Sequence, residues 1–487
     1  MNLYYISHGF RYESEKLLRL FFPLEKINEF TEYDGYSGDY LLTEIDGEEE
    51  LTLLATLSLK GRVKSKTKAV KKSLCEDLEL ELLLLAYDLL TDMCNFTPKW
   101  GILTGVRPSK FLMSKLNVAG EERAKEWFQN NYRVSKEKTD LALEVAKREQ
   151  VIIEKTPPNS FSLYVSIPFC PSRCSYCSFV SHSISSQKAK ALIPDYVEKL
   201  CDELSFTARK AKENNLELTS VYWGGGTPTT LEAEELEKIL TVIEENFDLS
   251  RCLEYTVEAG RPDTVTKEKL EVLKKHNVGR ISINPQTFND DVLTAIGRKH
   301  NSDLTVEKYR EAREVGFDSV NMDLIAGLPT DTLESFKQSV DKAISLGADN
   351  ITVHTLALKS SSTIVTENES GSLTDKSIAD MIDYSYRALT GAGYCPYYMY
   401  RQSKSLGNLE NVGYCKPDKD GIYNVLMMEE CQSIFSVGAG AVTKLRASDG
   451  SKIERIFNFK YPFEYISRFN LILEKKERMS TFYNEFR

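Results

Sequence analysis

The 487-residue sequence has no excess of positive charge, and this absence excludes one class of partner. Its 62 lysines and arginines are outnumbered by 72 aspartates and glutamates, which gives a formal net charge of −10. A surface that tracks the phosphates of a nucleic acid should be basic. We therefore expect no nucleic-acid partner, although the charge balance still allows a local basic pocket for a small polyanion.

The sequence also has no long apolar run. Its most apolar stretch, Leu78–Leu90, is too short to span a bilayer and contains three acidic residues, so we expect no membrane span. Residues 1–16 show no basic segment followed by an apolar run, so no secretory signal is predicted. Ten cysteines without such a signal do not predict a disulfide framework. We expect a cytoplasmic protein in which the singly scattered cysteines are inert buried thiols.

The predicted elements divide the chain into three parts. Residues 1–155 mix short strands with longer helices and predict an α+β accessory domain. In residues 156–373, strand-like runs alternate with helical patterns, which predicts an α/β fold with βαβ units and a parallel sheet. Residues 374–487 predict a small C-terminal domain that covers the substrate. Within it we expect a helix over Asp375–Gly391, an ordered loop over Gly407–Tyr414 and a glycine-punctuated turn region over Phe435–Thr443.

The middle part favours a partial (β/α)6 TIM-like barrel. Its strand-like runs are Phe161–Ile167, Ser220–Trp223, Leu253–Glu258, Arg280–Asn284, Ser319–Ile325 and Asn350–Leu356. Unusual polar and glycine-rich residues fall at the carboxyl ends of these runs almost throughout. Because the active sites of (β/α) barrels collect at this end of the strands, we predict the functional site there.

Three cysteines lie close together after the first of these runs. Cys170, Cys174 and Cys177 have the spacing C-x3-C-x2-C, and two prolines hold the stretch as a loop. An iron–sulfur cube usually takes four thiolates, so three local ones leave one iron open to another ligand. The spacing alone leaves two alternatives open, which are a zinc site completed by His182 and a structural role.

The surroundings of the cysteines resemble the signature of the radical S-adenosylmethionine (SAM) superfamily. Tyr176 precedes the last cysteine, and GGGTPT after the next strand resembles the superfamily's methionine-binding motif, in which glycines let backbone groups approach the ligand. Residues 162–443 further resemble the oxygen-independent coproporphyrinogen III oxidases, also called coproporphyrinogen dehydrogenases, and the whole chain looks most like the HemZ type. The matching motifs are LYVSIPFCPSRCSYCSF, VYWGGGTPT, VEAGRPD, INPQTF, IGRKH and NMDLIAGLP.

The resemblance implies two cofactors, a [4Fe–4S] cluster and SAM. It implies that Cys170, Cys174 and Cys177 bind the cluster and that Tyr164 lies beside the SAM at the cluster, as part of the catalytic group. The further SAM contacts that it implies are the backbone of Tyr176 near the adenine, Gly225, Gly226 and Thr227 at the methionine part, Glu258 and Arg298 at charged groups, Gln286 and Asp323 at ribose hydroxyls, and the backbone of Ala357 at the adenine.

The resemblance also implies an oxidoreductase of anaerobic haem biosynthesis. The reduced cluster would cleave SAM, and the deoxyadenosyl radical would take hydrogen from a propionate of coproporphyrinogen III. Loss of an electron and of carbon dioxide would leave a vinyl group. An external donor such as flavodoxin or ferredoxin would supply the reducing electron. Arg401 with Tyr397, Tyr398 and Tyr400 is a candidate wall of the tetrapyrrole pocket and Arg107 a second, while core packing is the alternative for the aromatic residues.

Two positions differ from the pattern of the dehydrogenases. Phe179 stands where they have a fourth cysteine, and Ser166 stands where they have a histidine. Related members without the fourth cysteine include haem chaperones and methyltransferases. A haem-binding chaperone or transfer protein and a radical SAM porphyrin methyltransferase are therefore the alternative functions. No histidine follows His354 in the sequence, so we expect no C-terminal histidine ligand to haem iron.

Overall fold

The structure is a computed structural model that describes residues 1–23, 25–179, 181–359, 362, 364, 375–402 and 404–486. The chain divides into two compact units, one of residues 1–143 and 401–409 and the other of residues 144–400 and 410–487. The division into three domains stays a prediction, and its second boundary, between residues 373 and 374, lies outside the described residues. No helix in the described part of the chain is both long and apolar enough to cross a membrane.

The first unit has the predicted α+β composition. Its strands are β1 (Asn2–Ile6), β2 (Asn28–Phe30), β3 (Tyr40–Asp46), β4 (Glu50–Leu59) and β5 (Arg62–Lys71), and they form one sheet in the order β2-β1-β3-β4-β5. Its helices are α1 (Arg11–Phe21), α2 (Leu78–Cys94), α3 (Pro108–Ala119) and α4 (Glu121–Tyr132), and α5 (Lys136–Glu154) contains the boundary between the units. Apolar residues of α2 pack on the sheet, as Ala86 and Leu90 do against Leu41 and Leu57.

A second sheet forms the frame of the other unit. Its strands are β6 (Ser160–Ile167), β9 (Glu217–Gly225), β10 (Glu254–Glu258), β11 (Arg280–Ser282), β12 (Ser319–Ala326), β13 (Asn350–Thr355), β14 (Cys395–Arg401), β15 (Glu410–Cys415), β16 (Ser433–Val437), β17 (Val442–Arg446) and β18 (Ile453–Phe457). Two short strands, β7 (Phe169–Cys170) and β8 (His182–Ser183), pair with each other in a separate ribbon. The order in the sheet is β14-β15-β13-β12-β11-β10-β9-β6-β16-β17-β18. The strands β6 and β9 to β13 are mutually parallel neighbours in chain order.

Helices connect the parallel strands, as βαβ units require. They and the later helices are α6 (Gln187–Lys190), α7 (Ile193–Glu213), α8 (Ala233–Asn246), α9 (Lys267–Lys275), α10 (Asp290–Ala295), α11 (Ser302–Val315), α12 (Leu333–Leu346), α13 (Asp375–Gly391), α14 (Ile422–Glu429), α15 (Pro462–Ser467), α16 (Phe469–Lys476) and α17 (Arg478–Glu485). The helix α12 begins where the Thr332 side chain accepts from the Ser335 amide and ends at Gly347 in the left-handed region. The result is an α/β fold with an open sheet of the partial-barrel kind that the sequence predicts.

Segments that follow α13 add strands to both sides of the parallel core. The strand β15 pairs antiparallel with β13, and β16 pairs parallel with β6. The prediction of a loop over Gly407–Tyr414 is therefore wrong from Glu410 onward. Between β16 and β17 the chain turns at Gly438 and Gly440, which have φ angles of +95° and +73°. The predicted turn region over Phe435–Thr443 is thus a turn only at residues 438–441, and its two ends belong to β16 and β17.

A buried ion pair fixes this turn. Glu203 of α7 and Lys476 of α16 have fully buried side chains, with 2.7 Å between Lys476 Nζ and Glu203 Oε1. Glu203 Oε2 also accepts from the Gly438 amide at 2.8 Å and from the Tyr465 hydroxyl at 2.6 Å. Lys476 Nζ also donates to the Ser436 carbonyl at 2.7 Å. The C-terminal helices therefore hold β16 and its turn beside β6.

We expect Lys476→Met to destabilise the second unit by about 3–5 kcal/mol, because it leaves the Glu203 carboxylate buried without its cation. Urea unfolding followed by circular dichroism measures this loss. The matched control is Lys475→Met, which removes an exposed neighbour whose ammonium lies 4.6 Å from the centre of the Phe459 ring and should cost about 1 kcal/mol or less. Equal losses in the two variants would contradict the structural role of the buried pair.

Candidate functional site

The three clustered cysteines lie in the loop that follows β6. Cys170 ends β7, and the Cys177 amide donates to the Cys174 carbonyl at 3.1 Å. The Ser175 amide donates to the Ile296 carbonyl at 3.1 Å, which ties the loop to the segment after α10. Burial raises the pKa of Cys170 and raises that of Cys177 to about 11. Among the described residues no group of three His, Cys, Asp or Glu side chains is already closed around a metal position.

The glycine turn at the end of β9 lies against this loop. The Gly226 amide donates to the Ile167 carbonyl at 2.7 Å, and the Thr227 amide donates to the Phe169 carbonyl at 2.8 Å. A Cβ atom on Gly226 would lie 2.4 Å from the Phe169 oxygen, so only glycine fits here. The Thr227 hydroxyl lies 3.5 Å from the Cys170 sulfur. The turn thus lies directly against the backbone before Cys170 and brings the Thr227 hydroxyl next to the Cys170 sulfur.

Glu258 ends β10 beside a stack of tyrosine rings. Its Oε1 accepts from the Tyr222 hydroxyl at 2.5 Å. The Tyr222 ring stacks on Tyr423 with 4.4 Å between centroids, and the Tyr164 ring lies nearly parallel to both at 6.3 Å. Burial raises the pKa of Glu258 to about 7, against the lowering effect of the Tyr222 bond and with a further rise from Asp323. This carboxyl group therefore changes charge close to neutral pH.

Asp323 of β12 has the opposite environment. Asn284 Nδ2 donates to its Oδ2 at 2.7 Å, and Asn321 Nδ2 donates to its Oδ1 at 2.8 Å. His354 Nε2 lies 3.7 Å from Oδ2, and the Tyr400 hydroxyl lies 3.4 Å from His354 Nδ1. Burial raises the pKa of Asp323, but His354 and the amides outweigh it and the pKa is lowered. Asp323 is thus an anion at neutral pH.

Arg298 and Gln286 bring buried polar atoms to the same region. Arg298 Nη1 donates to the Asn284 and Gly260 carbonyls at 2.7 and 3.3 Å, and Nη2 donates to the Tyr176 hydroxyl at 3.0 Å. In the described part of the chain, Arg298 Nε and Gln286 Oε1 are buried without a hydrogen-bond partner. Buried polar atoms are normally paired, so these two indicate room for a polar ligand.

The predicted site residues come together at one edge of the sheet. They are Cys170, Cys174 and Cys177 in the loop after β6, Tyr164 in β6, Tyr176 in the cysteine loop, Gly225, Gly226 and Thr227 at the end of β9, Glu258 at the end of β10, Gln286 and Arg298 after β11, Asp323 in β12 and Ala357 after β13. The Ala357 carbonyl accepts from the Lys359 amide at 3.0 Å, so it already closes a turn. The individual roles of these residues stay predictions.

Three of the side chains predicted to line the tetrapyrrole pocket are buried instead. Tyr397 and Tyr398 are 0% and 5% exposed and pack against Val425, as the core-packing alternative predicts. In the first unit, Arg401 is 3% exposed and donates to the Leu103 carbonyl at 2.6 Å. These three side chains are too buried to line an open pocket. Tyr400 is half-buried and meets His354 instead.

Sequence reasoning missed three residues of the site. Tyr222 precedes Gly224 by two positions in β9, and because side chains alternate along a strand, Tyr222 could have been placed on the same face of the sheet as Gly224. Arg261 lies inside the quoted VEAGRPD motif but was given no role, and it donates to Cys174 Sγ at 3.5 Å. Tyr423 comes from α14, far along the chain, and no local signal points to it.

Comparison with known proteins gives a consistent set of relatives. Residues 164–343 match the family model of the radical SAM superfamily. The chain is 38% identical over 394 residues to the oxygen-independent coproporphyrinogen-III oxidase-like protein HemZ of Bacillus subtilis (strain 168), which covers 80% of this chain and 78% of that protein. It is also 38% identical over 199 residues to the heme chaperone HemW of the same organism, but this match spans 41% of this chain and 51% of that protein.

A solved structure has the same fold. The coproporphyrinogen III oxidase HemN from Escherichia coli superposes with a TM-score of 0.52 and 23% sequence identity, covering 67% of this chain and 72% of that one. At this identity the likeness establishes the fold alone.

We expect the contribution of Glu258 to the stability of the unliganded protein to fall as the pH rises from about 4.5 to about 7, because the folded-state pKa of Glu258 lies above its usual value of 4.5. The folded state holds this proton more tightly than the unfolded state, so the stabilisation is complete below pH 4.5 and is lost above 7. Glu258→Gln removes this dependence and should be more stable than the wild type at pH 8 by up to about 3 kcal/mol.

Urea unfolding at pH 5 and pH 8 tests this expectation, with the exposed Glu268→Gln as the matched control. Tyr222, Asp323 and His354 face Glu258 and are unchanged in both variants. A pH 8 stability of Glu258→Gln no higher than that of Glu268→Gln would contradict a raised pKa at Glu258.

Proposed function

The chain belongs to the oxygen-independent coproporphyrinogen III oxidase family of radical SAM proteins, as a HemZ-type member, and we propose from this a decarboxylase of tetrapyrrole propionates. The reaction is the conversion of propionate side chains of coproporphyrinogen III to vinyl groups. The cofactors of this family are a [4Fe–4S] cluster and SAM. An external one-electron donor of the flavodoxin or ferredoxin class and a cytoplasmic location complete the proposal.

The observation that carries this proposal is the match to HemZ. It spans about four fifths of both proteins, at 80% and 78%. Three heme chaperones match over 69%, 79% and 75% of their own length, at 32%, 31% and 29% identity. Coverage therefore does not separate the two functions, and it is the 38% identity over this length that favours the HemZ-type activity.

The residues at the site fit both cofactors. The loop after β6 carries three thiols close together, a donor set that suits iron–sulfur ligation. The unpaired Gln286 Oε1 and Arg298 Nε offer an acceptor and a donor to a polar ligand. When bound, the cluster and SAM supply the deoxyadenosyl radical that takes the hydrogen atom from the propionate.

The surrounding side chains orient the ligand and exclude water. Glu258, which loses its proton close to neutral pH, would pair with the ammonium group of the methionine part, and that cation would favour its charged form. Asp323 is held as an anion by two amides and would accept from ribose hydroxyls. The stacked rings of Tyr164, Tyr222 and Tyr423 form an apolar wall that keeps water from the radical.

Haem binding and transfer is the second candidate function, favoured by the matches to heme chaperones and by Phe179 at the position of the fourth cysteine. Cys415 and Tyr414 are C-terminal side chains of types that ligate haem iron, but they are 0% and 1% exposed, so neither reaches a haem without local unfolding. His354 is 26% exposed in its side chain but is engaged by Asp323 and Tyr400. The chaperone function therefore lacks an accessible ligand among these residues.

We expect the reconstituted protein, given a strong reductant, SAM and coproporphyrinogen III without oxygen, to form deoxyadenosine together with mono- and divinyl products. Chromatography with mass detection measures both. Deoxyadenosine without any decarboxylated product would exclude the proposed reaction while leaving the SAM chemistry intact. Stoichiometric haem binding in the absorbance spectrum, with no turnover, would favour the chaperone.

We expect Cys170→Ala, Cys174→Ala and Cys177→Ala each to lose the cluster and SAM cleavage, because each removes one of three thiolate ligands. Iron and sulfide content and deoxyadenosine yield are the measurements. Cys75→Ser, which changes a singly placed cysteine of the first unit, is the matched control and should retain both. Cleavage of SAM at the wild-type rate by any of the three alanine variants would overturn the assignment of the cluster ligands.

A further inference from the structure

Arg261 follows β10 and points into the cysteine loop. It is 3% exposed. Its Nε and Nη2 atoms donate to Oδ1 and Oδ2 of Asp263, both at 2.9 Å. Its Nη1 atom donates to Ser172 Oγ at 3.2 Å and to Cys174 Sγ at 3.5 Å. One edge of the guanidinium is thus held by a carboxylate while another faces a cluster cysteine.

The local sequence fixes this orientation. Pro262 begins a short 3-10 turn, so Arg261 and Asp263 lie on one side with little freedom. The Thr264 amide and hydroxyl both donate to the Arg261 carbonyl, at 2.9 and 2.7 Å. The two parallel bonds to Asp263 form the planar fork that only arginine can make. The direction of Nη1 toward Cys174 is therefore a built feature and not a free rotamer.

The charges around Cys174 do not cancel. Asp263 compensates one guanidinium, but Arg298 also interacts with Cys174 and brings a second. His300 Nδ1 lies 3.8 Å from Asp263 Oδ1, but burial, with Arg298 and Arg261, lowers its pKa to about 4, so it is neutral at pH 7. Two cations and one anion leave a net positive field at the Cys174 sulfur.

We propose that Arg261 is a positioning residue for the iron–sulfur cluster, which holds the Cys174 thiolate by an N–H···S bond and raises the reduction potential of the cluster. Reduction adds one electron from the external donor to the cluster and its thiolates, with no bond formed or broken. A donated hydrogen bond and a nearby positive charge stabilise the more negative state. The inference rests on the cluster that the family uses and not on the identity of the substrate.

The test is the midpoint potential of the reconstituted cluster in Arg261→Met, measured by dithionite titration with electron paramagnetic resonance, without SAM or substrate. The expected result is a potential more negative than that of the wild type, corresponding to a roughly tenfold smaller equilibrium constant for reduction, or about 59 mV for one electron. Arg261→Lys keeps the charge but loses the fork to Asp263, so its potential should lie between the two. Iron content and Tm are recorded for each variant.

Two control variants distinguish an effect of Arg261 on the cluster potential from a purely structural role in holding the cysteine loop. Arg148→Met removes a half-buried arginine that binds both oxygens of an aspartate, Asp420, in contact with Cys415 and not with the cysteine loop. Its potential should equal the wild-type value. Ser172→Ala removes the other loop acceptor of Arg261 and leaves the bond to Cys174, so it should keep both iron and potential.

A fully loaded Arg261→Met cluster with the wild-type potential overturns the proposal. So does a Ser172→Ala variant that loses as much iron as Arg261→Met at an unchanged potential, because a loop tie alone explains that result. If Arg261→Met retains no iron, Arg261→Lys decides: a more negative potential supports the proposal and an unchanged one overturns it. If neither Arg261 variant holds iron, the Tm values of these variants decide. A Tm equal to that of Arg148→Met supports the proposal that Arg261 holds the Cys174 thiolate, and a lower Tm assigns Arg261 a purely structural role. Because no substrate is present, failure of the decarboxylation assay leaves this result unaffected.

Discussion

The parallel pairing of β6 with β9 is the constraint on which the site depends. Its register places Ile167 opposite Gly225, so the loop that carries the cysteines and the glycine turn leave the sheet at the same level. The Gly226 amide then bonds the Ile167 carbonyl, and no Cβ fits at that position. Since β10 to β13 are parallel to this pair, their carboxyl ends bring Glu258 and Asp323 to the same edge. The parallel pairing of these strands thus brings the cysteine loop, Glu258 and Asp323 to one edge of the sheet.

The two carboxylates at this edge differ because their neighbours differ. Glu258 faces tyrosine rings and has one hydroxyl donor, so burial dominates and its pKa rises to about 7. Asp323 has two amide donors and a histidine nearby, so its pKa falls despite burial. Buried carboxyl groups with separated pKa values are typical of functional sites. The site therefore offers one fixed anion and one group whose charge responds to a bound cation, before any ligand is present.

The alternation of strands and helices in residues 161–356 could be predicted from sequence, since each element there has its own hydrophobic period and end signals. Residues 410–414 belong to the predicted loop because glycine and asparagine favour turns, and only pairing with β13 makes them part of a strand. Tyr423 and Arg261 were missed for the same reason. Each acts through a contact with a residue far away in the chain, Tyr222 in one case and Cys174 in the other, and no local pattern records such contacts.

The difference from the dehydrogenases at Ser166 is connected to the C-terminal helices. Ser166 Oγ donates to the Ala439 carbonyl at 2.8 Å. A Cβ on Gly225 would lie only 2.9 Å from Ser166 Oγ. A side chain as large as histidine would not fit unless the turn after β16 moved. That turn is anchored by the buried pair of Glu203 and Lys476, because Glu203 accepts from its first amide. Placing histidine at this position alone would therefore strain the turn, so a larger side chain here requires a change in the C-terminal segment as well.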